Sequence, residues 1–144
     1  MYQALYELVA NAQINGQPAF ITTSRKFRYW TEVPGSMQPA FYQQEPKQLA
    51  VSTNNYGETM WHLEAILWIY NQHDPNDEVY PSTFINNVLD AIETALMPDP
   101  SGRQTLGGLV EHCYIDGEIP IDEGTIPSDI QSVVMIPIKI TTGV

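Results

Sequence analysis

Histidine and cysteine are the side chains of this sequence best suited to nucleophilic or metal chemistry. His62, His73 and His112 are scattered along the chain, and Cys113 is the only cysteine. A zinc site needs nitrogen or sulfur ligands at close spacing, so we expect neither a metal nor a cofactor. His112 and Cys113 are neighbours in a predicted strand and point to opposite faces, which excludes a nucleophile–base pair between them. A small enzyme that uses His112 or His62 with nearby carboxylates stays open as an alternative.

Four carboxylates lie close together in the C-terminal third of the chain: Asp116, Glu118, Asp122 and Glu123. An EF-hand loop needs glycine at its sixth position, and counted from Asp116 that position is Ile121. The spacing therefore predicts a solvated acidic loop rather than a calcium site or a catalytic carboxylate pair. The sequence also contains no Gly-x-Ser-x-Gly, P-loop or Gly-x-Gly-x-x-Gly motif. We predict a protein that is not an enzyme.

Three of the six basic residues, Arg25, Lys26 and Arg28, alternate with aromatic residues that include Trp30. Basic and aromatic side chains together can bind single-stranded nucleic acid. A strand would send these charges to both of its faces, which favours a protein interface or a plain solvated strand. The formal net charge of −11 also argues against a protein whose whole surface binds nucleic acid.

The periodicity of apolar residues predicts the secondary-structure elements that position these side chains. Helical spacing predicts helices over residues 2–15 and 84–96, the second with Ser82 as its N-cap. Alternation and β-prone composition predict strands over residues 26–32, 38–44, 58–70, 109–116 and 132–142. Gly107-Gly108 suggests a bulge or a close backbone approach where the strand 109–116 begins, and Pro137 suggests that the last strand is an edge strand or is bulged.

Together these elements predict one α+β domain over residues 1–144. We expect a mainly antiparallel sheet of about five strands with two helices packed on one face. Trp61 and Trp68 fall on opposite faces of the strand 58–70, so the helices cannot cover both, and we expect these tryptophans at an interface. The apolar runs 65–70 and 133–138 are far shorter than the roughly 18 residues of a membrane span, so no membrane is expected. The N-terminal sequence lacks the pattern of a secretory signal.

An ordered set of short motifs runs through nearly the whole chain. The motifs are Ser24-Arg25-Lys26-Phe27 with Trp30, Gln38-Pro39-Ala40-Phe41-Tyr42, Asn87-Val88-Leu89-Asp90-Ala91-Ile92, Leu106-Gly107-Gly108-Leu109-Val110, Ile115-Asp116-Gly117 and Ile136-Pro137-Ile138. In this order they resemble the tail terminator proteins of long-tailed bacteriophages, the group that includes the minor tail protein U type.

The resemblance implies a homo-oligomeric ring of six subunits in the virion tail, assembled in the host cytoplasm. Such a ring caps the tail tube, ends polymerisation of the tail tube protein and offers the docking surface for the head–tail connector or neck protein. It implies no catalysis, and it implies that the motif positions contribute to ring or docking surfaces. We expect Arg25, Lys26 and Arg28 to dock an acidic partner, and the acidic loop 116–123 to line a channel that DNA passes without specific binding. A neck or head-completion protein of the same virion is the alternative.

Overall fold

The computed structural model describes residues 1–53, 59–72, 81–123 and 131–142. In chain order its elements are α1 (Tyr2–Ala10), β1 (Gln13–Ile14), β2 (Gln17–Pro18), β3 (Thr22–Ser24), two short 3-10 helices (Trp30–Glu32 and Gly35–Met37), β4 (Ala40–Thr53), β5 (Thr59–Gln72), α2 (Pro81–Ala95), β6 (His112–Ile115), β7 (Ile121–Glu123) and β8 (Gln131–Thr141). The main sheet has six strands in the order β3-β4-β5-β8-β6, and β7 also pairs with β8. Every pair in it is antiparallel except β3–β4. The predicted α+β class with a mainly antiparallel sheet is confirmed.

The two helices lie on the same face of this sheet because each carries a stripe of apolar side chains at helical spacing. Leu5 and Val9 of α1 and Ile85, Val88 and Ile92 of α2 are almost fully buried in one shared core. Full burial of each such side chain contributes roughly 1.5–3 kcal/mol. The predicted N-cap Ser82 is wrong: the helix begins at Pro81, whose fixed φ suits a first helical turn, so Ser82 lies within that turn.

The first helix is shorter than predicted. It ends at Ala10, and residues 13–18 form the small two-stranded hairpin β1–β2 instead of a last helical turn. Asn15 and Gly16 connect these strands and both have positive φ, of 53° and 78°. Asn-Gly is the preferred pair for such a two-residue turn, because asparagine and glycine tolerate the left-handed conformation. This signal was present in the sequence and was missed.

β5 is the central strand and separates two clusters of buried side chains. Leu63, Leu67 and Ile69 face the helices, as the alternation predicts. Trp68 and Tyr70 face the opposite side, where Tyr70 is fully buried. That opposite side is covered in part by the irregular segment 27–37, which contributes Phe27, Trp30, Val33 and Met37 to the second cluster.

The strand predicted over residues 26–32 is therefore wrong. This segment crosses the face of the sheet and contains the 3-10 helix Trp30–Glu32 rather than pairing at a sheet edge. β-propensity largely measures how well a side chain fits a half-buried surface. The aromatic residues of this segment do occupy such a surface, but they reach it from a loop. The strand predicted over 38–44 is real but continues to Thr53, with a register shift between Gln44 and Lys47.

Pro137 lies inside the sheet rather than at its edge. It is paired with Ile66 of β5, and its carbonyl oxygen accepts a hydrogen bond of 2.9 Å from the Asp116 backbone N–H on the other side. In an antiparallel strand the N–H and C=O of one residue face the same neighbour. The side of Pro137 that lacks an N–H donor therefore faces the gap between the end of β6 at Ile115 and the start of β7 at Ile121. This gap allows a proline inside the sheet, so the predicted edge position is wrong.

The strand predicted over 109–116 is shorter and begins at His112. Leu106, Gly107 and Gly108 before it all have positive φ and form a turn. An added Cβ at Gly107 or Gly108 would meet no heavy atom within 4 Å. The two glycines are therefore explained by left-handed backbone rather than by a bulge or a close approach.

Candidate subunit and docking surfaces

The predicted basic patch is only partly available for a partner. Arg25 donates to Glu45 Oε1 through Nε at 2.8 Å, and its Nη2 lies 2.7 Å from the same oxygen. A further bond of 3.2 Å joins Arg25 to Gln3. Lys26 and Arg28 are exposed and form no ion pair with the residues that the structure describes. Arg25 is also exposed, but its charge is paired with Glu45, so Lys26 and Arg28 are the two basic residues of the patch without an ion pair in the described part of the chain.

The aromatic residues between these charges anchor the segment to the sheet. Phe27 packs on Trp68 with ring centroids 5.3 Å apart, and Tyr29 meets the edge of the same indole at 6.3 Å. Trp30 is half-buried in the same cluster, whereas Tyr29 is 49% exposed. Tyr70 donates a hydrogen bond of 2.7 Å to the backbone carbonyl of Arg28. Lys26 and Arg28 are thus displayed on a loop that the sheet holds in place.

The two tryptophans of β5 lie on opposite faces, as predicted. Trp61 is 40% exposed. It lies on the face of β5 that the helices cover only further along the strand. Trp68 is half-buried on the other face, and its indole Nε1 donates a hydrogen bond of 2.9 Å to Gln44 Oε1. Both faces of the sheet therefore keep accessible aromatic surface.

The acidic segment does not form one continuous loop. Asp116 and Glu118 are exposed in the connection after β6, whereas residues 121–123 form β7. Asp122 is paired with Val133 and lies on the aromatic face of the sheet. The Glu123 side chain lies outside the described part of the structure. Asp116 and Glu118 thus lie in an exposed loop, whereas the strand β7 positions Asp122.

A groove of about 870 Å³ runs between α1 and α2 on the outer side of the helix layer. Small and aliphatic side chains line it, among them Leu8 of α1 and Ala91 of α2. Glu7 and Asp90 give it acidic groups, and none of the basic residues in the described part of the chain lines it. The sequence analysis did not predict this groove, because it depends on how two helices far apart in sequence pack together.

The histidine and cysteine side chains are separated as predicted. Cys113 is buried in the helix-side core, and burial raises the pKa of its thiol to about 12. His112 is half-buried, stacks on Tyr114 at 4.8 Å, and its Nδ1 accepts a hydrogen bond of 3.1 Å from the Gln104 backbone N–H. His62 and His112 are each paired with Thr141, from opposite sides of β8. A high thiol pKa leaves Cys113 protonated and poorly nucleophilic near neutral pH.

Within the described ranges, no group of three or more histidine, cysteine or acidic side chains is placed to hold a metal ion. His73 lies outside those ranges. No helix among the described residues is long and apolar enough to cross a membrane.

Comparison with models of known protein families finds none that matches this chain. No curated protein sequence is significantly similar to it.

Proposed function

We propose that this chain is a structural subunit of a phage tail, which forms a homo-oligomeric ring of the tail-terminator kind. The ring caps the tail tube, ends its polymerisation and provides the surface on which the head docks. The observation that carries this proposal is the presence of two unlike open surfaces on opposite sides of one sheet. Head-to-tail ring closure requires two different patches on each subunit, whereas a two-fold dimer requires only one.

The first surface is the groove between α1 and α2. Asn87, Asp90 and Ala91 of one motif and Leu106 and Gly107 of another line this groove together. These motifs are separated in sequence but share one surface, which supports their assignment to a subunit contact. The groove has a volume of about 870 Å³ and a largely small and aliphatic lining. It can therefore accept an apolar side chain or the edge of a helix from a neighbouring subunit.

Other motif positions are unsuited to that role because they are buried. Phe41, Val88, Ile92, Ile136 and Ile138 are each at most 2% exposed and belong to the helix-side core. The expectation that the motif positions as a set form ring or docking surface is thus wrong for these five, and also for Ala40 and Tyr42, which are equally buried in the second cluster. They contribute to the fold, and the surface role is restricted to the accessible positions.

The second surface is the aromatic side of the sheet together with Lys26 and Arg28. Single exposed ion pairs contribute only about 0.2–1 kcal/mol, too little to hold one subunit on a partner. A ring repeats the same two charges on every subunit, and multivalent contact raises avidity by roughly 10² to 10⁴. We propose that Lys26 and Arg28 dock an acidic tail or neck protein in this way.

The exposed carboxylates Asp116 and Glu118 supply the channel wall of the proposed ring, together with Asp122 and Glu123 of β7. Carboxylates repel phosphates, so an acidic wall shortens the residence of DNA in the channel. Neutralising the four carboxylates together is expected to leave the ring intact and slow genome release. An outer-circumference position for residues 116–123 in a ring structure would refute this part of the proposal.

Ring formation is tested by native mass spectrometry and negative-stain microscopy, in solution and after mixing with purified phage tails. Asn87→Arg places a charged, long side chain at the groove and is expected to abolish the ring. Asn86→Arg is the matched control, since Asn86 is the exposed neighbour on the same helix and does not line the groove. A chain that stays monomeric with tails, or equal behaviour of the two variants, would contradict the proposal.

Docking is tested by tail length and head–tail joining in complementation. Arg28→Glu is expected to give overlong tails or unjoined heads, and high salt is expected to weaken docking because the Debye length falls to about 3 Å at 1 M. Arg103→Glu is the matched control, because Arg103 is another exposed arginine with only a 3.9 Å ion pair. Binding to the portal end of filled heads instead of to tails would assign the chain to the neck or head-completion class.

A further inference from the structure

A small pocket opens on the aromatic side of the sheet, between the segment 27–37 and β7. Its volume is about 230 Å³, and we call it the aromatic pocket. The residues that line it include Tyr29, Trp30, Trp68, Asp122 and Met135. The sequence motifs do not predict a pocket here, since its walls come from four separate parts of the chain.

The three rings contact one another, and a hydrogen bond orients one of them. The ring centroid of Tyr29 lies 6.2 Å from that of Trp30 and 6.3 Å from that of Trp68. The corresponding angles between the ring planes are 45° and 66°. The hydrogen bond from Trp68 Nε1 to Gln44 fixes the orientation of the indole. Preorganisation of this kind lowers the entropic cost of binding.

The electrostatics of the aromatic pocket favour a cation. The faces of aromatic rings carry negative potential, and a cation within about 6 Å of a ring centroid is attracted to it. Asp122 adds a carboxylate, and none of the six basic residues of the chain lines the pocket. The formal net charge of −11 adds a long-range attraction for positively charged partners.

The size of the aromatic pocket favours one side chain over a free metabolite. Pockets for drug-sized molecules span roughly 300–1,000 Å³, and this one is smaller. A planar guanidinium stacks flat on aromatic rings and forms bidentate bonds to a carboxylate, whereas an ammonium group is attracted to ring faces only as a compact point charge. We propose that the aromatic pocket binds the guanidinium group of an arginine side chain presented by a partner protein. This inference does not depend on the proposed ring.

The test is a titration followed through the indole N–H resonances of the three tryptophans. The probe is N-acetyl-arginine-methylamide, and N-acetyl-citrulline-methylamide is its neutral control of nearly the same shape. The arginine probe is expected to shift the signals of Trp30 and Trp68 in a saturable manner and to leave Trp61 unchanged. Equal shifts from both probes, or no saturable shift at Trp30 and Trp68, would overturn the proposal.

Two variants and a second probe sharpen the test. Asp122→Asn is expected to weaken arginine binding about two- to fivefold, the effect of one partly exposed ion pair, whereas Asp116→Asn leaves it unchanged. Tyr29→Leu removes an exposed ring from the pocket and is expected to weaken binding without unfolding the chain. N-acetyl-proline-methylamide tests a proline-rich segment as the occupant, and a stronger response to it than to arginine would refute arginine recognition.

Discussion

The hydroxyl of Tyr70 donates a 2.7 Å hydrogen bond to the backbone carbonyl of Arg28. Tyr70 is fully buried at the centre of the sheet, and Arg28 is exposed on the loop that crosses it. Burial, followed by smaller effects of Tyr29, Tyr42 and Glu32, raises the pKa of this phenol well above its usual range. The contact joins the central strand to the segment that carries the basic residues and the walls of the aromatic pocket.

Removing this hydroxyl is expected to loosen the segment from the sheet. Tyr70→Phe leaves the Arg28 carbonyl without its donor and is predicted to lower the free energy of unfolding by about 1–2 kcal/mol. Urea unfolding measures this change. Tyr114→Phe is the control, because the Tyr114 hydroxyl makes no hydrogen bond among the described residues, and its effect should be close to zero. Equal losses in the two variants would argue against the anchoring role.

A reciprocal pair of amide bonds links β8 to the turn before β4. Gln131 Nε2 donates to Gln38 Oε1 at 3.0 Å, and Gln38 Nε2 donates to Gln131 Oε1 at 3.1 Å. Both side chains are buried. Replacing either one with methionine leaves the other amide short of a partner, and we expect each single variant to lose about 1–3 kcal/mol. The double variant should lose clearly less than the sum, and strict additivity in urea unfolding would show that the two amides are not coupled.

The stability of the fold is expected to fall at alkaline pH. Burial raises the pKa of Cys113 to about 12, while the thiol of the unfolded chain ionises near pH 9. Between these values the unfolded state binds fewer protons than the native state, so the free energy of unfolding decreases as pH rises, by up to about 1.4 kcal/mol per pH unit. Below the unfolded pKa this contribution is fully present and constant. Cys113→Ala should flatten the slope of unfolding free energy against pH, and an unchanged slope would contradict the assignment.

Two adjacent residues of β5 test the assignment of its faces. Leu67 is fully buried under the helices, and Ile66 is half-buried on the opposite face. Leu67→Ala is predicted to cost about 2–5 kcal/mol, because it opens a cavity in the core. Ile66→Ala should cost markedly less, and a larger loss at Ile66 than at Leu67 in thermal or urea unfolding would reverse the assignment.

Long periodic segments were the predictable part of the fold. α2, β5 and β8 each carry an unbroken apolar pattern, and each was predicted to within a few residues of its bounds. In such a segment the apolar pattern alone specifies which face is buried. The separation of His112 and Cys113 follows from the same two-residue period.

Irregular segments could not be predicted in this way. Residues 26–32 have the composition of a strand, yet contacts with Trp68 and Tyr70, about forty positions later, hold them in a loop. Arg25 pairs with Glu45, twenty positions away in sequence, because the fold places the two side chains beside each other. Both outcomes depend on tertiary contacts, which override local preference and leave no trace in a single sequence. The same holds for the aromatic pocket and the groove.

The long strand β4 has a consequence for solubility. β3 covers only Ala40 to Tyr42 on its outer side, and no other strand of the described chain pairs with that edge beyond this point. An unpaired edge is a template for intermolecular sheet growth and fibre formation. Here Pro46 lies within the register shift between Gln44 and Lys47, so it removes a backbone donor where the strand is already distorted. Pro46 thus opposes the addition of a further strand along this edge of β4.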